Sequence, residues 1–315
     1  MKNTLYIVVP CYNEEEVLPE TSKRLYEKLS SLMAAGKISG ESRILFVDDG
    51  SSDGTWELIQ KLHEESEVFT GVSLSHNRGH QNALLAGLMT AKDRADVVIS
   101  MDADLQDDIG AVDQMLDEYF AGCDIVYGVR AKRERDSFFK RITAEGYYKV
   151  LKAMGCDVVF NHADYRLMSA RALDALAEYG EQNLFLRGIV PMLGYKTATV
   201  TYERGERFAG ESKYPLKKML ALAGDGVASL SLKPLRFITG AGIILLFLAV
   251  ILLIYSIVRW CMGYTILDWK IITISVWGVG GLVLTALGIV GEYIGRAYME
   301  TKKRPRYNIG ETVGL

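Results

Sequence analysis

The stretch Val97–Asp108, VVISMDADLQDD, passes from three consecutive apolar residues into a cluster of carboxylates at Asp102, Asp104, Asp107 and Asp108. A short β-branched run of this kind is a strand buried on both faces, as in a parallel sheet. Carboxylates crowded at its tip repel one another, which is costly unless a cation sits among them. Residues two apart in an extended chain share a side, so Asp102 and Asp104 face one ligand while Ala103 faces the sheet. Gln106 adds a neutral oxygen to that side if the extension continues. Asp107 and Asp108 are assigned instead to the start of a helix at Ile109, where negative charge is favoured.

Outward from this stretch, the same alternation repeats. Leu5–Val9, Arg43–Val47, Val72–Leu74, Val97–Met101 and Asp124–Tyr127 read as strands. The amphipathic runs Glu15–Leu32, Thr55–Glu64, Gln81–Thr90 and Ile109–Phe120 read as the helices between them. A βαβα series predicts an α/β domain with a mostly parallel, Rossmann-like sheet covered on both faces. Ligands bind such sheets beyond the carboxyl ends of the strands. Those ends carry Pro10-Cys11-Tyr12-Asn13-Glu14, then Asp48 to Thr55, then Asp102 to Gln106. Ser52 and Asp53 either cap the helix starting near Thr55 or join the cleft, whereas Asp48 and Asp49 come too early to cap it. The chain has no GxxxxGK[ST] run and no GxGxxG, which removes support for the ordinary ATPase and dehydrogenase readings.

Two hard oxygen ligands at one site suit Mg2+ or Mn2+, with water and phosphate oxygens completing the shell. A cation there neutralises charge on a departing diphosphate. The alternative for the same residues is a solvated turn.

The chain has 315 residues, 49% of them hydrophobic, and a net charge of −3. Phe237–Val258 and Ile271–Gly291 contain no charged residue, and each exceeds the roughly 20 residues needed to cross a bilayer. Two transmembrane helices are expected. Basic residues precede the first (Lys213, Lys217, Lys218, Lys233, Arg236) and follow the second (Arg296, Lys302, Lys303, Arg304, Arg306). The positive-inside rule then places both termini in the cytoplasm and the Arg259–Lys270 loop outside. No secretory leader is expected, because Leu5–Val9 is too short for one. The acidic balance argues against a dedicated nucleic-acid binder. Cys11, Cys123, Cys156 and Cys261 lack CxxC spacing, so reduced thiols are expected rather than a disulfide framework or zinc site.

Four motifs in order, VVPCYNEEEVL (8–18), VDDGSSDGT (47–55), HNRGHQNALLAGL (76–88) and DADLQDD (102–108), resemble the family 2 glycosyltransferases of GT-A fold. More narrowly, from Leu5 to about Ile309 the chain resembles the bacterial polyprenyl-phosphate glycosyltransferases of GtrB type, related to dolichol-phosphate mannose synthase. The resemblance includes the membrane hairpin and the tail GEYIGRAYMETKKRPRYNI. It implies a GT-A domain over residues 1–232 with juxtamembrane helices near 138–154 and 215–232, a hairpin over 233–295 and a cytoplasmic tail over 296–315.

The resemblance also implies roles. Pro10, Tyr12, Glu14, Asp48, Asp49 and Asp102 would line the donor nucleotide pocket, with Asp49 reading the base and Tyr12 packing on it. Asp102, Asp104 and Gln106 would hold the metal, and Asp104 with Asp164 of FNHADYRLMS would form the catalytic pair. Arg130, Arg204 and Lys213 match positions near the acceptor phosphate, with Arg141 and Arg207 as helpers. A phosphate monoester is already largely ionised near neutral pH, its second pKa being about 6, so Asp164 either orients the acceptor or stabilises positive charge on the sugar rather than removing a proton. His76, His80 and His162 are weighed mainly as structural.

The implied activity is inverting transfer of a sugar from a nucleotide-diphosphate donor, by resemblance UDP-glucose, to undecaprenyl or another polyprenyl phosphate at the cytoplasmic face of a bacterial plasma membrane. A homo-oligomer, by resemblance a tetramer, is expected, with Tyr307-Asn308-Ile309 either pairing with a neighbouring protomer or fraying. A processive polysaccharide synthase is the first alternative, but Gln182 is not followed by the Gln-x-x-Arg-Trp pattern. The second is a non-catalytic membrane scaffold, which would have no need of a costly acid cluster.

Overall fold

Alternation of strand and helix carries the chain through its first 130 residues. The computed structural model describes residues 2–131, 162–182, 185–203, 205 and 269–315, with isolated positions between 238 and 262. The strands are β1 (Leu5–Cys11), β2 (Arg43–Asp48), β3 (Phe69–Leu74), β4 (Val97–Ser100), β5 (Ile125–Arg130), β6 (His162–Ser169), β7 (Thr197–Tyr202) and β8 (Ile309–Val313). The helices are α1 (Leu18–Ala34), α2 (Thr55–Glu65), α3 (His80–Lys92), α4 (Ala111–Phe120), α5 (Ala170–Ala177), α6 (Leu186–Met192) and α7 (Trp269–Thr301). α1 begins at Leu18 rather than Glu15, with Pro19 in its first turn, where a missing N–H costs nothing. α4 begins at Ala111, two residues later than the periodicity predicts.

Among the described residues eight strands form one sheet in the order β7-β5-β6-β4-β1-β2-β3-β8. The core β3-β2-β1-β4 is parallel, as expected. β6 and β8 run antiparallel to their neighbours, so the sheet is mixed rather than simply parallel. Strand order reverses between β1 and β4, which opens a crevice at their carboxyl ends.

The sheet is covered on both faces because its side chains alternate between two cores. Leu5, Ile7 and Val9 of β1 pack with Leu25 and Leu29 of α1 and Met115 and Leu116 of α4. Tyr6 and Val8 pack on the opposite face with Leu84 and Leu88 of α3 and Leu173 and Leu176 of α5. α3 lies directly on the strands at Gly87, where an added Cβ would meet Val8 Cγ1 at 2.4 Å and Val47 Cγ2 at 2.7 Å.

The C-terminal segment adds an edge strand and a long apolar helix. The last strand is Ile309–Val313, slightly beyond the predicted Tyr307–Ile309, and within the chain it pairs antiparallel with β3. The exposed edge of β3 offers unpaired N–H and C=O groups, and β8 satisfies them in cis. Trp56 Nε1 donates to Glu311 Oε2 at 2.9 Å and fastens the strand to α2.

α7 is 33 residues long, and its Gly278–Thr301 portion is long and apolar enough to cross a membrane. Val276, Val279, Leu284, Leu287 and Ile294 are exposed on it. The first predicted span, Phe237–Val258, lies almost wholly outside the described residues, as do the predicted juxtamembrane helices and the loop before Trp269. Among the described residues Cys11, Cys123 and Cys261 form no disulfide with one another, and Cys156 lies outside them.

Gly87→Ala should force α3 off the sheet and cost about 1–3 kcal/mol. The check is the unfolding midpoint of the purified variant in detergent, which should fall.

Candidate active site

The direction of β6 brings the site together. Ser100 of β4 pairs with Arg166 of β6 in antiparallel register, so the start of β6 lies beyond the carboxyl end of β4. Asp164 thereby reaches the same edge as Asp102, and Ser100 Oγ donates to the Asp164 carbonyl at 2.6 Å. The ends of β5 and β7 arrive at this edge too, with Arg130 opposite Tyr202.

β4 ends at Ser100, so the acidic segment is a turn and not the extended strand the sequence suggests. Leu105 takes a positive φ of 56°, and the Gln106 N–H donates to Asp104 Oδ1 at 3.2 Å. Burial nevertheless alternates. Asp102, Asp104 and Gln106 are half-buried on one side, while Met101, Ala103, Leu105 and Asp107 are buried. Thr21 Oγ1 donates to the Ala103 carbonyl at 2.8 Å and pins the turn to α1.

Asp107 departs from its expected place at the helix start. Its carboxylate accepts from the Tyr202 hydroxyl and lies 3.7 Å from Arg130 Nη2. Burial and then the Asp102 charge push its carboxyl up to about 6. Asp108 does serve the helix start, accepting from the Gly110 N–H at 2.7 Å.

Asp164 is clamped by cations. Arg166 Nη2 lies 2.5 Å from Oδ1, and Arg187 Nη2 lies 3.0 Å from Oδ2. Gln81 Nε2 donates to Oδ2 at 3.3 Å, while Gln81 Oε1 accepts from the Leu186 N–H and joins α3 to α6. His80 Nε2 stands between the two acids, 3.6 Å from Asp102 Oδ1 and 3.5 Å from Asp164 Oδ2. Burial works against the charged carboxylate, but Arg187, His80 and Arg166 together hold Asp164 well below the usual carboxylate range. Burial likewise disfavours the imidazolium, yet Asp164 and Asp102 outweigh it and raise His80 to about 9. At neutral pH the cluster therefore holds an ionised Asp164 beside a protonated His80.

The loops after β1 and β2 are stapled to each other. Asn13 N–H donates to Ser51 Oγ at 3.0 Å, Ser52 N–H to Asn13 Oδ1 at 2.9 Å, and Gly54 N–H to Glu15 Oε2 at 3.0 Å. Asp53 accepts from the Thr55 N–H at 3.1 Å and the Glu15 N–H at 3.3 Å, so it serves both the helix start and the staple. Asp48 is turned inward, accepting from Ser51 N–H at 3.0 Å and Ser73 Oγ at 2.8 Å. Asp49 accepts from the Arg78 and Gly79 N–H groups at 2.7 and 2.9 Å, and burial pushes its carboxyl up against those two bonds. Gly50 at φ 66° allows the approach, since an added Cβ would lie 2.7 Å from Asn77 N.

Of the residues singled out in the sequence, the structure gathers Asp102, Asp104, Gln106, Asp164 and Arg130 at one edge. Tyr12 is exposed at the tip of β1, Glu14 is half-buried behind it, and Pro10 is buried within the strand. Arg141, Arg204, Arg207 and Lys213 lie outside the described residues. Arg166, Arg187 and Gln81 escape the sequence reading, and His80 is undervalued by it. The available signal was a lone cation in each of two apolar runs, DYRLMS and LFLRGIV, where a buried charge requires a partner.

Among the described residues no three or more His, Cys, Asp or Glu side chains are grouped to hold a metal ion. The donor set on the turn is two carboxylates and an amide, which fits Mg2+ or Mn2+ sharing its shell with water and phosphate oxygens better than a closed structural cage.

Residues 6–177 match the profile of Glycosyl transferase family 2. The chain is 52% identical to the uncharacterized glycosyltransferase YkoT of Bacillus subtilis (strain 168), over 97% of this chain and 90% of that one. It is 37% identical to the bactoprenol glucosyl transferase of Shigella phage SfX, over 96% of this chain and 97% of the relative. A prophage bactoprenol glucosyl transferase homolog of Escherichia coli (strain K12) is 36% identical over 96% and 97%.

Asp164→Ala strands Arg166 as a buried unpaired charge and should cost about 3–5 kcal/mol, read as a lower unfolding midpoint. Asp164→Asn keeps the shape and is the variant for kinetic work. The two key titrations have opposite signs. Asp164, with a depressed pKa, contributes stability that is lost only on strong acidification. His80, raised to about 9, contributes stability that is complete below its unfolded value of about 6.5 and is lost as pH rises through about 9. In metal-free protein the unfolding midpoint should therefore drop across that alkaline window, and His80→Gln should flatten the drop.

Proposed function

The chain belongs to the family 2 glycosyltransferases, and from that membership we propose that it transfers a sugar from a nucleotide-diphosphate donor to a polyprenyl phosphate at a membrane surface. The observation that carries the reading is the meeting of the Asp102–Gln106 turn with the cation-clamped Asp164 at one sheet edge. The acceptor class is supported by near-full-length similarity to relatives named bactoprenol glucosyl transferase. Their names also favour a glucosyl donor, with UDP-glucose the first to test.

Tyr12 offers an exposed ring for the base, and the stapled loops around Asp48 and Asp49 hold the nucleotide half of the cleft in place before substrate arrives. Asp102 and Asp104, with Gln106 beside them, would hold Mg2+ or Mn2+, which supplies positive charge for the departing diphosphate. The acceptor phosphate is ionised near neutral pH and attacks the anomeric carbon from the face opposite the leaving group, inverting it. Asp164 removes no proton in this reaction. Held ionised by Arg166, Arg187 and His80, it stabilises the positive charge that grows on the sugar ring. Arg130, whose Nη2 lies 3.7 Å from Asp107 Oδ1, is the cation assigned to the acceptor's lipid phosphate.

α7 supports a membrane location, with exposed apolar side chains along its length and Lys302, Lys303, Arg304 and Arg306 immediately after it. That charge asymmetry favours a cytoplasmic C-terminus, on the side where nucleotide sugars are available.

The test is transfer in detergent with undecaprenyl phosphate, Mn2+ or Mg2+, and a panel of radiolabelled UDP- and GDP-sugars. Label should enter the lipid phase with one donor, disappear on chelation, and fall about a hundredfold or more in Asp102→Ala and Asp164→Asn. A folded, nucleotide-binding wild type that labels no lipid with any donor would overturn the acceptor assignment.

A further inference from the structure

Asp107 is a buried carboxylate that the reaction as written does not use, and its surroundings give it a role. It follows Gln106 directly on the acidic turn, and its side chain is 1% exposed. Tyr202, the last residue of β7, donates its hydroxyl to Asp107 Oδ1. Arg130, the last residue of β5, donates Nε to the same hydroxyl at 3.4 Å and holds Nη2 3.7 Å from Asp107 Oδ1. Asp107 Oδ2 has no hydrogen-bond partner among the described residues. The backbone repeats the connection. Gly205 N–H donates to the Gln106 carbonyl at 2.9 Å, and Ala131 N–H donates to the Tyr202 carbonyl at 2.8 Å.

A buried carboxylate and a guanidinium this close are costly to place unless each fixes the other. A helix-capping role does not account for Asp107, since Asp108 already takes the Gly110 N–H. A purely structural brace does not require an arginine at the end of β5, beside the acid-bearing turn, either. We propose that Asp107 is a positioning residue for the acceptor phosphate, holding the Arg130 guanidinium through Tyr202 at a fixed place relative to Asp102 and Asp104. The turn that carries the donor-side carboxylates would then also aim the acceptor-side cation, fixing the spacing between the attacking phosphate and the leaving diphosphate. This rests on the acceptor assignment of the preceding section.

The test compares wild type with Asp107→Asn, Tyr202→Phe, Arg130→Ala and the Asp107→Asn/Arg130→Ala pair in the transfer assay. Asp107→Asn and Tyr202→Phe should raise the KM for undecaprenyl phosphate about tenfold while the donor KM stays within about twofold. In the Arg130→Ala background Asp107→Asn should add nothing further, because the residue acts through the arginine. An acceptor KM within about twofold of wild type in both single variants, or fully additive effects, would overturn the proposal. If Asp107→Asn fails to fold, Tyr202→Phe carries the test, since it removes one oxygen. Dodecyl phosphate binding by calorimetry separates this idea from the reading beneath it. Should wild type transfer no sugar to any lipid, equal dodecyl phosphate affinity in wild type and Tyr202→Phe, or no binding to either, still sinks the coupling, and about tenfold weaker binding to the variant sustains it.

Discussion

The pair Asp164–Arg166 sets the terms for the rest of the cleft. Both side chains are almost wholly excluded from solvent, and they project from one face of β6. Two charges taken out of water cost several kcal/mol each unless every remaining lone pair and N–H is answered. Most of the answers come from two helices distant from β6 in sequence, with Arg166 Nε left without a partner among the described residues. α3 supplies His80 and Gln81, the start of α6 supplies Arg187, and the Leu186 carbonyl accepts from Arg166 Nη1. A change at any of these residues is therefore felt at Asp164. That dependence explains why helices distant in sequence meet at one carboxylate.

Charges of opposite sign interleave across the sheet edge. Asp102, His80, Asp164 and the two arginines alternate, and Asp107 with Arg130 continues the pattern toward β7. An acid cluster of this density is tolerable because each carboxylate has a cation or a donor beside it. The cost of assembling the site is met during folding, so the dipoles and charges are already oriented when substrate binds. A carboxylate held this firmly in its ionised form suits charge stabilisation and is poorly suited to accepting a proton.

The sheet links this chemistry to the apolar helix. α7 is followed by a basic segment and then β8, which closes the free edge of β3 and is fastened by Trp56. The chain thus leaves the catalytic layer and returns to it as an edge strand. Gln182 N–H donates to Glu300 near the end of α7, adding a second tie between helix and domain. An apolar helix with exposed faces is thereby anchored to a folded domain at its basic end, where the membrane boundary is expected.

Local patterning alone determined the βαβα order, the parallel core strands, the acid cluster after β4 and the apolar C-terminal helix. Each of these is written in consecutive residues: β-branched runs, 3.6-residue periodicity, a carboxylate cluster, an uncharged stretch. The side on which Asp102, Asp104 and Gln106 lie was also legible, because burial alternates through the turn even though the strand had ended. Motif likeness placed Asp164 among the candidates, but its partners were hidden. Arg166, Arg187 and His80 are joined to it only because β6 enters the sheet antiparallel to β4, and no local signal states that direction. Asp107 was misread for the same reason: next to a helix start it resembles a cap, and only the arrival of β7 supplies Tyr202 as its partner. The destination of the last strand, its own β3, was equally undecided by residue pattern. Periodicity and charge spacing act over a few residues, whereas strand order and direction are settled by the packing of the whole chain, and the pairing of buried charges follows from that packing.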